Sequence, residues 1–474
     1  RIPVLLTTVN FAYMRYDFLV IGGGSAGYAA ARTAHDYGAK VAVVDGSPEL
    51  GGLCILKGCM PSKTLIYSAE ALHLARMGSV FGLEIPEAKA NLFAMQARKT
   101  EVIREFAEYR QGQLEDGRFD LHRATATFVD SHTVKLSDDS VLEAEKILVA
   151  TGSTVNLPNV PGLLDVPVRT SDDVLELSEL PEEVLVLGGG VVACELAQYL
   201  VRVGARVTVV QRNPRLLKEF SPEASQVVEQ AFRDEGVELF LDTELHQVEN
   251  LSDGSVRVHF GHAGERIQRD TGFLFNALGR IPSVASLDLV AAGIKTLPSG
   301  HLRANSYQQT TAPNVYAAGD CSGPHEIVHV AIRQGETAAA HALGREVAPM
   351  NYDGLLSVVF TDPQVAYVGL SLSEIKARGI SSASATFPFD DHGKSILMEA
   401  KRGHVAIHAN KKDGRILGAE CVGKDAGELI HSISVAIALK ATAHDLLKAD
   451  WYHPTLSEIW TYPLEDVSEE CTLP

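Results

Sequence analysis

Two cysteines stand five positions apart, Cys54 and Cys59, inside the run Gly51-Gly52-Leu53-Cys54-Ile55-Leu56-Lys57-Gly58-Cys59-Met60-Pro61-Ser62-Lys63. Such a pair is either two buried thiols or a dithiol that opens and closes a disulfide while passing two electrons. In a regular helix five residues rise about 7.5 Å, beyond the roughly 7 Å Cα separation that a disulfide tolerates. The redox reading therefore demands a bent backbone. Gly58 supplies the local freedom for it, and Pro61 can open or kink the helix that follows. Cys194, Cys321, Cys421 and Cys471 lie too far apart in sequence to form a secreted disulfide framework, and Cys471 reads as an inert tail thiol.

The elements that must hold this chemistry come as an internal repeat. Gly22-x-Gly24-x-x-Gly27 follows the apolar run Phe18 to Ile21, and Gly188-x-Gly190-x-x-Ala193 follows Val184 to Leu187, 166 residues later. The same offset carries Gly38-Ala39-Lys40 and the run Val41 to Asp45 onto Gly204-Ala205-Arg206 and the run Val207 to Gln211. Strand, glycine turn, helix and second strand recur, which implies two βαβ units. In each unit the first glycine makes the turn, the second lets backbone approach a pyrophosphate, and the third position lets helix and strand pack closely. The helix N-terminus then faces the phosphates. Two dinucleotides are expected.

The residue that ends the second strand differs between the copies. Asp45 is a carboxylate, suited to the diol of an unphosphorylated adenosine ribose. Gln211 is neutral and is followed by Arg212, with Arg215 and Lys218 nearby. That set suits a phosphorylated ribose, so NADP(H) is favoured over NAD(H); the alternative is a solvated basic loop. Two further strand ends, Val149-Ala150-Thr151-Gly152 and Ala317-Ala318-Gly319-Asp320, belong to the first site. There Asp320 could bond the ribityl or pyrophosphate region of a flavin dinucleotide, or cap a helix.

With 474 residues, about three domains are expected. Hydrophobic content of 46%, charged content of 22% and 40 glycines describe a globular chain and exclude disordered and collagen-like classes. A formal charge of −18 argues against nucleic acid as a partner. No apolar run reaches the roughly 18 residues that span a bilayer. Residues 1–13 lack the features of a signal peptide and read as a non-native or disordered leader before a natural start at Met14, so the cytoplasm is the expected compartment. No zinc spacing or carboxylate cluster suggests a metal.

Taken together, these motifs resemble the flavoprotein pyridine nucleotide-disulfide oxidoreductases, the group of dihydrolipoamide dehydrogenase, glutathione reductase and mercuric reductase. The resemblance spans Met14 to about Pro463. It rests on both fingerprints, the Gly-Gly-x-Cys-x4-Cys-x-Pro-Ser-Lys segment, the Ala-Thr-Gly turn, the Ala-Ala-Gly-Asp strand end and His453-Pro454-Thr455-x-x-Glu458. It implies an α/β fold with two Rossmann-like domains, for FAD and NAD(P), and a C-terminal α+β dimerisation domain that completes the active site of a partner subunit. The expected division is 14–150 for FAD, 151–273 for NAD(P), 274–347 again for FAD, and 348–474 for the interface.

The resemblance also assigns roles. Cys54 becomes the interchange thiol that attacks substrate, and Cys59 the charge-transfer thiolate facing the flavin. Lys63 with Glu195 matches an ion pair near the reactive flavin nitrogen, and Gly279 joins the nucleotide-binding residues. His453 is the expected general acid–base, oriented by Glu458; Thr455 to Glu458 also spells a capping box that would start a helix. Leu53 replaces a common Thr, and Ile55-Leu56-Lys57 replaces the usual Val-Asn-Val, adding a charge between the cysteines. The His-Pro pair and the lone Cys471 disfavour the mercuric branch. His453 to Glu458 and His329 favour a lipoamide or lipoyl-protein substrate, whereas Gln211-Arg212 and Arg32 point toward a glutathione-type disulfide reductase. A flavin oxidase or transhydrogenase making little use of its thiols is a further alternative.

Overall fold

The computed structural model describes residues 14–471, so the expected leader at 1–13 lies outside the described residues. The chain forms two compact units, one of residues 14–61, Arg98–Asn156 and Arg280–Met350, the other of Ser62–Ala97, Leu157–Gly279 and residues 351–471.

The first unit is built on a seven-stranded sheet. Its parallel part joins Asp120–His122, Val41–Val44, Met14–Ile21, Val141–Val149 and Val315–Ala317. Phe18 to Ile21, Val41 to Val44 and Ile147 to Val149 are buried on both faces, as near-continuous apolar runs of a covered parallel sheet should be. Truncating one such side chain to Ala costs about 2–5 kcal/mol. Thr133–Leu136 and Ala126–Phe128 extend the sheet antiparallel. The helix Ser25–Asp36 buries Ala26, Ala29, Ala30, Ala31 and Ala34 and packs against the helix Val328–Ala342. The approach is close because a Cβ on Gly335 would meet the Ala26 carbonyl oxygen at 2.3 Å.

The second unit repeats the motif in a five-stranded parallel sheet ordered Glu238–Phe240, Arg206–Val210, Glu183–Leu187, Phe273–Asn276 and Val168–Arg169. A three-stranded antiparallel meander, Thr243–Asn250, Val256–His262 and Glu265–Thr271, accompanies it. The same unit holds an antiparallel five-stranded sheet ordered Leu356–Val359, Gln364–Gly369, Ile416–Gly423, His404–Asn410 and Ser382–Pro388. The helices Ala426–Ala438 and Thr461–Glu470 pack on that sheet through Ile430, Ile433, Leu464 and Val467.

Three boundaries differ from the sequence reading. Phe273–Asn276 pairs with Glu183–Leu187, so the second nucleotide fold runs past 273 to Gly279. Ser153–Val155 pairs instead with Arg280–Pro282, which keeps residues 151–156 with the first unit. The segment Ser62–Ala97 groups with the second unit although the cysteines before it belong to the first. A strand's membership is decided by its hydrogen-bonded neighbour, and turn composition does not reveal that neighbour.

Candidate functional site

Cys54 lies in the short helix Gly52–Leu56, and Cys59 opens the helix Cys59–Arg76. Between them the helix is broken: Lys57 has φ −141° and the ladder does not continue through Gly58. A Cβ on Gly58 would meet the Leu53 carbonyl oxygen at 2.9 Å and the Cys54 Cα at 3.2 Å. The bend that the spacing demanded is therefore present, and Gly58 allows it to be tight. Both sulfur-bearing residues are half-buried, whereas Cys194, Cys321 and Cys421 are fully buried. Burial raises those three thiols and pushes Cys321 up to about 11, so at neutral pH they stay protonated and unreactive. Burial and Glu470 also raise the half-buried Cys471.

The first fingerprint forms a tight cradle. Gly22 has φ +105°, and a Cβ there would strike the Ala150 carbonyl. A Cβ on Gly27 would lie 1.8 Å from the Gly22 carbonyl oxygen. Gly24 precedes the helix Ser25–Asp36, and a Cβ on Gly52 would meet its Cα at 2.7 Å. Asp45 is buried, its carboxylate accepting from the Gly23 and Ser47 N–H groups at 2.8 Å each. Each oxygen keeps further acceptor capacity for a diol.

The other two strand ends meet at this cradle. Gly152 and Gly319 both have positive φ, and the Gly319 N–H donates to Gln334 Oε1 at 2.7 Å. Asp320 caps no helix. It accepts from Ser153 Oγ at 2.7 Å, and that hydroxyl accepts from Arg280 Nε at 2.8 Å. The Thr151 hydroxyl is buried without a hydrogen-bond partner. A glycine cradle, a half-buried acid at one strand end and a buried hydroxyl at the neighbouring strand end fit a dinucleotide such as FAD.

The second cradle, in the other unit, follows the same plan with looser contacts. Gly188 has φ +114°, and a Cβ there would strike the Ala277 carbonyl. Gly190 precedes the helix Val191–Val203, and neither Gly190 nor Gly279 has anything within 4 Å of a would-be Cβ. Gln211 is buried against Gly189, whose would-be Cβ lies 2.8 Å from the Gln211 amide nitrogen. Arg212 is exposed. Arg215 donates to the Lys218 carbonyl at 2.7 Å, and Lys218 leans on Glu219 at 3.7 Å.

Lys63 and Glu195 come together as expected, Lys63 Nζ donating to Glu195 Oε2 at 2.6 Å. Glu195 is 4% exposed, so losing Lys63 would strand a buried charge at a cost of about 3–5 kcal/mol. Its other oxygen accepts from the Phe360 N–H at 2.9 Å, and the Phe360 ring lies 4.8 Å from Lys63 Nζ. Along the same helix, Gln198 and Arg202 bind Asp362. The helix Val191–Val203 thereby pins the segment Phe360–Asp362 over the ion pair. A cavity of about 560 Å³ opens beside it, lined by Lys63, Tyr67, Glu195, Tyr199 and Phe360. Phe360 carried no sequence signal, because its contribution is a backbone N–H.

His453 and Glu458 also meet: the imidazole Nδ1–H donates to both carboxylate oxygens, at 3.1 and 3.0 Å. The capping box is not formed. Thr455 Oγ1 donates to the Tyr452 carbonyl, and the turn Ser457–Trp460 has no side-chain cap. The carboxylate that would close the box is engaged by His453. Arg32 is paired with Glu336 at 2.6 Å.

Comparison with known proteins agrees with this geometry. Residues 16–335 match the family of pyridine nucleotide-disulphide oxidoreductases, and residues 355–463 match that family's dimerisation domain. The chain belongs to this family. It is 32% identical to a mercuric reductase of Lysinibacillus sphaericus, over 94% of this chain and 81% of that protein. It is likewise 32% identical to a dihydrolipoyl dehydrogenase of Chlamydia muridarum, over 94% of this chain and 95% of that protein. Among solved structures, LpdA from Mycobacterium tuberculosis superposes with a TM-score of 0.85 at 27% identity, covering 95% of this chain and 99% of that one. The HOCl-induced flavoprotein disulfide reductase RclA from Escherichia coli gives 0.84 at 25% identity, covering 95% and 99%. As a family member, the protein is an FAD-dependent NAD(P)H disulfide oxidoreductase acting on sulfur groups. The dimerisation domain points to a homodimer. Among the described residues no helix is long and apolar enough to cross a membrane.

Proposed function

We propose that this enzyme exchanges electrons between NADP(H) and a dithiol or disulfide of the lipoamide type, through FAD and the Cys54–Cys59 pair. The observation that carries the reading is the helix break at Lys57–Gly58, which bends the chain between two half-buried cysteines, one in a short helix and one opening the next. In the dithiol-oxidising direction, a substrate thiolate attacks Cys54 Sγ, forming a mixed disulfide and releasing Cys59 as a thiolate. The second substrate thiol attacks the substrate sulfur of that mixed disulfide, closing the substrate disulfide and freeing Cys54. His453 of the partner subunit takes the proton from the attacking thiol at Nε2, since Glu458 occupies Nδ1–H and fixes that tautomer. The Gly22–Gly27 cradle, Asp45 and Asp320 would hold FAD, which would supply a two-electron path between the enzyme dithiol and the nicotinamide. Lys63, held at 2.6 Å by the buried Glu195, would supply a fixed cation to that chemistry. Arg212 favours NADP(H) by its charge.

A glutathione-type disulfide is the second reading, favoured by the basic residue at 212 that follows the neutral Gln211. Anaerobic titration of the holoenzyme with dihydrolipoamide separates the two. Spectral change with a long-wavelength band at near-stoichiometric dithiol is expected. An unchanged spectrum, with NADPH producing that band, would transfer the assignment to glutathione disulfide. Retained turnover in Cys54→Ser would exclude the disulfide mechanism altogether and leave an oxidase or transhydrogenase.

A further inference from the structure

Behind the His453–Glu458 pair stands a second histidine. His392 follows the strand Ser382–Pro388 and the turn Phe389–Asp391, and precedes the helix Gly393–Leu397. Its side chain is 0% exposed, against 12% for Glu458 and 78% for His453. His392 Nδ1 lies 2.8 Å from Ser395 Oγ, and Ser395 is itself fully buried. His392 Nε2 is buried without a hydrogen-bond partner and points at Glu458 Oε1 from 3.6 Å, just beyond hydrogen-bond length. Ser395, His392, Glu458 and His453 thus form a line from the interior to the surface. Its midpoint is the carboxylate already bound by His453.

The chemistry of that line admits one consistent arrangement at neutral pH. Burial lowers the His392 pKa, the neighbouring Glu458 opposes that, and a charged His453 adds to it, so the imidazole is neutral. A neutral ring has one N–H and one acceptor. With Ser395 Oγ–H donating to Nδ1, the single N–H sits on Nε2 and faces the carboxylate. Glu458 and His453 are the charged groups set against His392. The Tyr462 ring meets it edge-on at 6.3 Å, and Asp390 and Asp391 precede it in the chain.

We propose that His392 is a positioning residue, whose Nε2–H is the second donor that holds the Glu458 carboxylate turned toward His453. The proposal rests on the reading of His453 as the acid–base group. A carboxylate that shares its charge with a second donor stabilises an imidazolium less. Removing His392 therefore strengthens the hold of Glu458 on protonated His453 and raises the pH at which His453 gives up its proton.

The test is the rate at which iodoacetamide alkylates Cys54 in the dithionite-reduced holoenzyme, followed from pH 5 to 10 with the site read by mass spectrometry. The thiolate–imidazolium pair gives two midpoints, the upper belonging to loss of the imidazolium proton. In His392→Asn, which keeps an atom near Ser395 but nothing facing Glu458, the upper midpoint is expected to rise by about half a unit to one unit. His392→Gln, whose amide reaches the Nε2 position, is expected to return it to the parent value. Ser395→Ala, which frees the ring to adopt the other tautomer, should move it the same way by less and holds the test should His392→Asn not fold. Parent-like upper midpoints in His392→Asn, or in Ser395→Ala where only that variant folds, would overturn the proposal. In the control His453→Gln the upper step should vanish. Its persistence there would instead defeat the acid–base reading on which the proposal stands.

Discussion

The two nucleotide folds share a plan yet differ at the third fingerprint position and at the end of the second strand. In the first, Gly27 sits so close to the Gly22 carbonyl that no side chain fits, and a buried Asp45 ends the second strand. In the second, Ala193 occupies the third fingerprint position and buried Gln211 ends the strand, with exposed Arg212 next. The room lacking at Gly27 is room for packing of the helix on its own turn, and the first cradle holds that helix closer. Both strand-end side chains lie against the residue that follows the first glycine of their own fingerprint, Asp45 against Gly23 and Gln211 against Gly189. In the proposed assignment, this one equivalent position would set the charge that each adenosine ribose meets.

The largest test of this contrast is Gly27→Val. Its Cβ would overlap backbone 1.8 Å away, which no rotamer relieves. We expect protein without bound flavin and a stability loss of about 3 kcal/mol or more, read by visible absorbance and thermal melting. The mirror change Ala193→Gly should keep full flavin content and cost about 1 kcal/mol.

Next in size is the exchange of ribose signatures. Arg212→Leu should lower kcat/KM for NADPH by about tenfold to a hundredfold, the worth of one charge-assisted hydrogen bond, with NADH changed less than threefold. Smaller again, Asp45→Asn keeps an acceptor for the Gly23 N–H but loses the charge offered to the diol. Flavin affinity should fall about tenfold, measured by equilibrium dialysis, with no change in NADPH preference. Smallest, Cys194→Ala and Cys321→Ala, one in each unit, should leave turnover within about twofold, because burial keeps both thiols protonated near neutral pH. Their reaction with Ellman's reagent at pH 8 should require denaturation.

Much of this was legible in the sequence for physical reasons. The strands Phe18–Ile21 and Val184–Leu187 announced themselves as apolar runs before glycines, since parallel strands are buried on both faces. The bend between Cys54 and Cys59 follows from helix rise once the two cysteines are read as a redox pair. Phe360 and His392 were invisible, because one acts through its backbone N–H and the other meets Glu458 across 66 residues of chain. Thr455 and Glu458 misled in the opposite way. Their spacing spells a capping box, and only the neighbouring His453 shows where the carboxylate goes. The strand Phe273–Asn276 runs three residues past the boundary that the sequence suggests, because its partner, Glu183–Leu187, is distant in sequence.

The most direct measurement is stopped-flow reduction of the bound flavin by NADPH and by NADH, compared between the parent enzyme and the Gln211→Glu, Arg212→Leu double variant. The parent should be reduced at least about tenfold more efficiently by NADPH, and the double variant should prefer NADH with flavin content unchanged. A parent that prefers NADH, or a double variant whose preference stays where it was, would contradict the assignment of the two ribose sites.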